Sequence, residues 1–130
     1  MTKILSISFL VLFIISCNNE DNILNSFDSA NYRKIAYESL TPESKETLTK
    51  CWCVAPVRTG KYKNENGSHI ITIDDQNRWN FFITDLNTDL QSNQNLIAVT
   101  FSTTSDALLG PLTLIINPES KTVIGEVLRF

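Results

Sequence analysis

Short segments in which apolar and polar residues alternate dominate the chain after residue 50. In residues 96–101, for example, Ile97, Val99 and Phe101 fall on one side of an extended chain. Alternation with a period of two is the pattern of a β-strand that buries one face. Because polar turns separate these segments, the pattern predicts about five strands in an antiparallel sheet. Six segments are candidates for these strands, at residues 52–57, 69–73, 78–84, 96–101, 112–116 and 122–128.

The segment before the strands has helical spacing instead. Residues 28–40 place apolar residues along one side of a helix, and Asp28 or Ser29 can cap its start. Thr41, followed by proline, favours a second short helix over residues 42–50. The sequence therefore predicts an α+β fold in which one or two N-terminal helices pack on the antiparallel sheet. This packing is expected because an uncovered sheet of this kind would leave apolar side chains in water.

Residues 110–125 resemble the terminal hairpin of small exported domains of the PepSY and cystatin-like kind. The resemblance covers the segment GPLTLIINPESKTVIG and depends on a turn of common composition. It implies a similar architecture and brings no function with it.

The N-terminus has the pattern of an export signal. Lys3 supplies a positive charge, residues 4–15 are apolar except for two serines, and Ser16 is a small residue before Cys17. This order of charge, apolar stretch and small residue is typical of secretory signals. A helix of the 12 residues 4–15 reaches only about 18 Å, whereas the hydrocarbon core of a bilayer is about 30 Å thick. The segment is therefore predicted to be a signal peptide and not a transmembrane helix.

The four residues Ile14-Ile15-Ser16-Cys17 resemble the lipobox of bacterial lipoproteins. The resemblance implies that signal peptidase cleaves between Ser16 and Cys17 and that Cys17 carries covalent lipid, with fatty acyl chains such as palmitate. Such an anchor holds a protein on a membrane without a protein span. The alternative is an ordinary signal peptide that is followed by an unrelated cysteine.

The composition and the acidic pair Glu20-Asp21 resemble small lipoproteins of the Bacteroidota. This resemblance implies an outer-membrane position, facing either the periplasm or the cell surface. The predicted organisation is a signal peptide (residues 1–16), a lipidated cysteine with a tether (17–26) and one α+β domain (27–130). Without Lys3 the chain has 10 basic and 14 acidic residues, which argues against nucleic acid as a partner.

Cys51 and Cys53 are the residues most able to carry chemistry. They form a Cys-x-Cys pair at the predicted start of a strand, where the preferred interpretation is two small packing residues. A disulfide, thiol–disulfide exchange and binding of a soft metal are the alternatives. A reactive cysteine usually lies at a helix N-terminus, whereas this pair is predicted to follow a helix C-terminus.

The other candidate residues have weaker patterns. His69 could act with Asp74 or Asp75 in catalysis, but no nucleophile motif accompanies it, and a single histidine excludes sites that need two from one chain. Asp85 and Asp89 lack the spacing of a calcium loop. The sequence therefore predicts no catalytic residues, no metal site and no cofactor beyond the lipid on Cys17.

The prediction for function is a membrane-anchored, non-enzymatic binding domain with a protein or ligand partner that the sequence does not identify. One alternative is a thiol-redox or soft-metal-handling protein that uses Cys51 and Cys53. Another is an exported inhibitor or immunity-type protein. Leu108 and Leu109 lie between two predicted strands, where folding onto the core is preferred over forming an exposed binding tip.

Overall fold

The computed structural model describes residues 26–73 and 80–129. The predicted signal peptide, the lipid attachment at Cys17 and most of the tether lie outside these residues. Within them, six strands form a closed antiparallel barrel in the order β1-β2-β3-β6-β5-β4. The strands are β1 (Val57–Glu65), β2 (Ser68–Ile73), β3 (Asn80–Thr84), β4 (Asn95–Phe101), β5 (Leu112–Asn117) and β6 (Thr122–Val127).

The expected α+β fold, in which helices cover an open sheet as in PepSY and cystatin-like domains, is wrong. β1 pairs with β2 on one side and with β4 on the other, from Val57 opposite Val99 to Lys61 opposite Asn95. The first and last strands of the sheet are therefore paired with each other, and the described sheet has no unpaired edge strand. A closed barrel was not expected because β1, with the sequence VRTGKYKNE, has few apolar residues.

β1 closes the barrel with only a small apolar surface because it approaches β2 unusually closely. A Cβ atom at Gly60 would lie 2.7 Å from Cγ1 of Ile71 and 2.8 Å from the carbonyl oxygen of Thr72. Glycine is the residue that allows this approach. Asn66 and Gly67, with φ angles of 51° and 86°, form the two-residue turn to β2, because left-handed backbone at both positions suits a tight hairpin.

The longest helix lies on the outside of the barrel. α1 (Ser26–Ser39) packs most closely against the 3₁₀ turn at residues 52–54, and it also contacts β4, β6, β1 and β5. Two shorter helices, α2 (Pro42–Glu46) and α3 (Asp106–Leu109), and a 3₁₀ turn (Trp52–Val54) lie in the connections. The predicted cap of α2 is confirmed, since Thr41 Oγ1 accepts a hydrogen bond from the backbone N–H of Ser44 at 3.2 Å.

The fold has two apolar cores, one on each side of the barrel wall. β4 contributes to both, because Ile97 and Val99 face α1 whereas Leu96 and Ala98 face the barrel interior. Burial on both faces is typical of a strand that has a helix on one side and a closed sheet on the other. None of the described helices is long and apolar enough to cross a membrane.

Candidate ligand-binding site

Among the residues that the structure describes, one end of the barrel interior leads into a cavity of about 470 Å³. Its walls are apolar side chains that also belong to the interior core, namely Ile73, Phe81, Ala98 and Val127. The opposite end of the interior is covered by Leu86 and Leu90, which pack against the same core. Bounded by the described residues, the cavity is a cup that Leu86 and Leu90 close at one end.

Two threonine hydroxyls supply polar groups inside this cup. Thr100 and Thr113 are directly opposite each other on β4 and β5, and both line the cavity. Their Oγ1 atoms are 3.0 Å apart and share a hydrogen bond. A hydroxyl can donate one hydrogen bond and accept two. The pair thus keeps one proton and several lone pairs for a bound molecule.

Arg58 supplies a positive charge at the opening. It lies opposite Ala98 in the β1–β4 pairing, so both side chains leave the same face of the sheet, and Arg58 lines the cavity. The side chain is exposed. It makes no hydrogen bond or ion pair with any residue that the structure describes; the one ion pair found there joins Lys63 and Glu65. Its guanidinium is therefore available to a ligand.

Arg129 lies at the same opening but is already engaged. Its Nη2 atom donates to the carbonyl oxygen of Gly110 at 2.9 Å and to Thr103 Oγ1 at 3.2 Å. Thr103, which is buried, donates in turn to Asp106 Oδ1 at 2.8 Å. These bonds join the C-terminal segment to the loop that carries α3. Arg129 therefore holds the rim of the cup in place and adds positive charge to it.

The rim also exposes apolar side chains. Leu109 and Leu128 line the opening with 44% and 40% of their surface exposed, and Leu108 beside them is 84% exposed. The preferred prediction that Leu108 and Leu109 fold onto the core is wrong, because the four-residue helix α3 turns both outward. No carboxylate occurs among the described residues that line the cup. Its opening therefore combines apolar surface with two cations.

The structure joins Cys51 and Cys53 by a disulfide. Both residues are exposed and precede β1, in the 3₁₀ turn, so the predicted strand at residues 52–57 and the packing role for both cysteines are wrong. The expected helix C-terminus is also distant, since α2 ends at Glu46 and Cys51 instead caps the 3₁₀ turn.

The remaining candidates are not brought together. The hydroxyl of buried Tyr62 and Nδ1 of His69 are 2.7 Å apart and share a hydrogen bond, four residues along their strands from the cup. Asp74 and Asp75, the suggested partners of His69, lie outside the described residues. In the described part of the chain no group of three or more His, Cys, Asp or Glu residues could hold a metal ion, and this includes the surroundings of Asp85 and Asp89.

Reasoning from the sequence missed the cup. No motif in the sequence singles out Arg58, Thr100 or Thr113. One signal for the cup was present in the sequence. Thr100 and Thr113 each place a polar side chain on the inward face of a mainly apolar strand. Comparisons with protein-family models, with curated proteins and with solved structures give no match to this chain.

Proposed function

We propose that this protein is a membrane-anchored lipoprotein whose barrel cup binds a small amphipathic ligand, with an apolar body and an anionic head. The observation that supports the proposal is the apolar cavity with an available guanidinium at its opening. Ligand sites typically combine apolar walls with a few polar groups and measure about 300–1,000 Å³. The cup fits this description in size and composition.

The apolar body of the ligand would supply most of the affinity. Burying apolar surface contributes about 25 cal/mol per Å², so a body that buries on the order of 150 Å² gains about 4 kcal/mol. An ion pair with an exposed arginine contributes only about 0.2–1 kcal/mol. Arg58 and the threonine hydroxyls would therefore select the head group and its orientation, while Ile73 and Phe81 hold the body.

The proposed anchor gives this binding a location. With lipid on Cys17, the tether of residues 18–26 would keep the start of α1 within about 30 Å of the bilayer surface, because an extended residue spans at most about 3.3–3.6 Å. Amphipathic molecules concentrate at such surfaces. The proposed place is the outer membrane, on its periplasmic or external face, and the proposed role is binding without catalysis.

The test is equilibrium binding of straight-chain carboxylates of six to fourteen carbons by residues 18–130, prepared as a soluble chain. Displacement of the fluorescent anion 1-anilinonaphthalene-8-sulfonate would report occupancy. The matched alcohols carry the same apolar body without charge. We expect saturable binding at one site, with carboxylates bound about two- to fivefold more tightly than alcohols, the ratio that an exposed ion pair provides.

Two variants separate the site from general attraction of anions. Arg58→Gln should remove the preference for carboxylates and keep binding of alcohols. Lys61→Gln removes the same charge from an exposed position three residues along β1 and should change neither. Absence of saturable binding would refute the proposal, as would equal effects of the two variants.

A further inference from the structure

The Cys51–Cys53 disulfide contributes little to holding its own turn. It joins residues two positions apart, and the constraint that a disulfide places on an unfolded chain is smallest for the shortest loops. Backbone hydrogen bonds already form the 3₁₀ turn, from Val54 N–H to the oxygen of Cys51 and from Ala55 N–H to the oxygen of Trp52, at 3.2 and 3.1 Å. A structural role alone does not account for this disulfide.

Contacts on either side of the disulfide keep the turn in place. The Trp52 ring stacks on Tyr37 of α1 with 5.2 Å between ring centroids. Arg33 Nε donates to the carbonyl oxygen of Ala55 at 2.7 Å. Since neither contact involves a sulfur atom, the turn can keep its position on α1 when the disulfide opens.

The surroundings of the two sulfur atoms favour thiolates. Lys50 and Cys51 line one surface cleft, and Arg33, Lys34 and Cys53 line a second one. No carboxylate is present among the described residues of either cleft. Cations that share a cleft with a cysteine raise the local positive potential, which favours the thiolate that leaves when a disulfide is attacked. The backbone N–H of Cys53 also donates to Cys51 Sγ at 3.2 Å, which further favours Cys51 as the leaving group.

We propose that Cys51 and Cys53 form a thiol–disulfide exchange site that transfers a disulfide to a polypeptide dithiol. Both cysteines are exposed, so an external thiolate can reach them. Val54, 60% exposed in the cleft beside Cys51, offers an apolar contact to a polypeptide. The site is separate from the barrel cup and does not depend on what the cup binds.

The exchange balances in two steps. A thiolate of the partner attacks Cys53 Sγ, a mixed disulfide forms, and the Cys51 thiolate leaves in the cleft that Lys50 also lines. The partner's second thiolate then attacks the partner's own sulfur in the mixed disulfide and releases the Cys53 thiolate beside Arg33 and Lys34. The partner loses two electrons and two protons and gains a disulfide, and Cys51 and Cys53 become two thiols. Exchange with a disulfide-bearing partner restores the pair by the reverse steps.

The experiment uses the full chain in membranes of the cells that export it. The membranes are incubated with a synthetic peptide that contains two cysteines, quenched with acid, and alkylated with a reagent that adds mass to each free thiol. We expect one peptide disulfide to form for each Cys51–Cys53 pair that opens. A Cys51→Ser/Cys53→Ser variant should transfer none, which sets the background from the other proteins of the membrane.

A charge variant tests the role of the cations. Lys34→Gln/Lys50→Gln should slow the transfer about two- to fivefold, the scale of one or two exposed charge interactions. Lys61→Gln, on the outside of β1, should leave the rate unchanged. The proposal is overturned if Cys51 and Cys53 are free thiols in the untreated membranes or if the pair stays oxidised in excess peptide. It is also overturned if the charge variant reacts as fast as the control.

Discussion

Gly60→Ala gives the sharpest test of how the barrel closes. Gly60 is buried in β1, and the new Cβ would lie 2.7 Å from Cγ1 and 2.9 Å from Cδ1 of Ile71. It would also lie 2.8 Å from the carbonyl oxygen of Thr72, which is a backbone atom on the neighbouring strand. Relief of the contact with this carbonyl oxygen requires β1 and β2 to separate, because a backbone oxygen cannot rotate away as a side chain can.

The expected sign is opposite to that of an unhindered Gly→Ala change. Where the backbone accepts alanine without strain, the substitution stabilises a protein by about 0.4–1 kcal/mol through the unfolded state. Overpacking a core instead costs about 1–3 kcal/mol. We expect Gly60→Ala to lower the free energy of unfolding by about 1–2 kcal/mol, since the clash outweighs the entropy gain.

Urea unfolding followed by circular dichroism measures this change. An unaltered slope of the free energy of unfolding against urea concentration would show that the variant and the original chain have similar unfolded states. A double-mutant cycle with Ile71→Ala identifies the clash. Removing the Ile71 side chain should make Gly60→Ala less costly by at least about 0.5 kcal/mol, the lower end of coupling between residues in contact. A stabilising Gly60→Ala change, or strict additivity with Ile71→Ala, would show that β1 does not approach β2 as described.

Three further predictions concern the cup, the helix and the anchor. Ala98→Leu adds three carbons to the cup wall and should lower ligand affinity at least tenfold, with the fold checked by urea unfolding because overpacking a core costs about 1–3 kcal/mol. Unchanged affinity in the carboxylate assay would place the site elsewhere. Burial raises the pKa of the Tyr32 hydroxyl above 10.0, and Asp28 adds a smaller increase. The unfolded state therefore loses this proton at a lower pH than the folded state. The free energy of unfolding falls as the pH rises above about 10. Tyr32→Phe should flatten that fall in urea unfolding between about pH 9 and 11, and an unchanged slope would contradict it. Cys17→Ala should abolish palmitate labelling and release the chain from membranes, whereas labelling that persists would disprove the lipobox.

Local patterns predicted several individual elements well. The cap at Thr41 is present, and the strands at residues 96–101 and 112–116 differ from β4 and β5 by one residue at one end. These features depend on neighbours in the chain, such as a hydroxyl three residues from an N–H or a regular alternation of apolar side chains. The second helix was too long in the prediction because residues 47–50 join the loop that pairs with Thr103.

The main failure concerned β1, and one local signal for it was overlooked. Asn66-Gly67 is a favourable sequence for a tight hairpin turn, but the strand before it is rich in lysine and polar residues. Alternation of apolar residues cannot identify a strand whose inward positions hold glycine and arginine. Pairing with β4 turns both positions inward. Position 60 needs glycine because β2 leaves no room for a Cβ, and position 58 can hold arginine because it lines the cavity.

The sequence alone predicts the export signal. It also determined the antiparallel strands after residue 67 and the start of α2, because each depends on the order and spacing of nearby residues. Only the tertiary structure decided the closure of the barrel and the grouping of Arg58 with Thr100 and Thr113. It alone also joined Cys51 to Cys53 on the surface beside α1. These groupings depend on the β1–β4 pairing and on the packing of the 3₁₀ turn against α1, which bring together residues far apart in the chain.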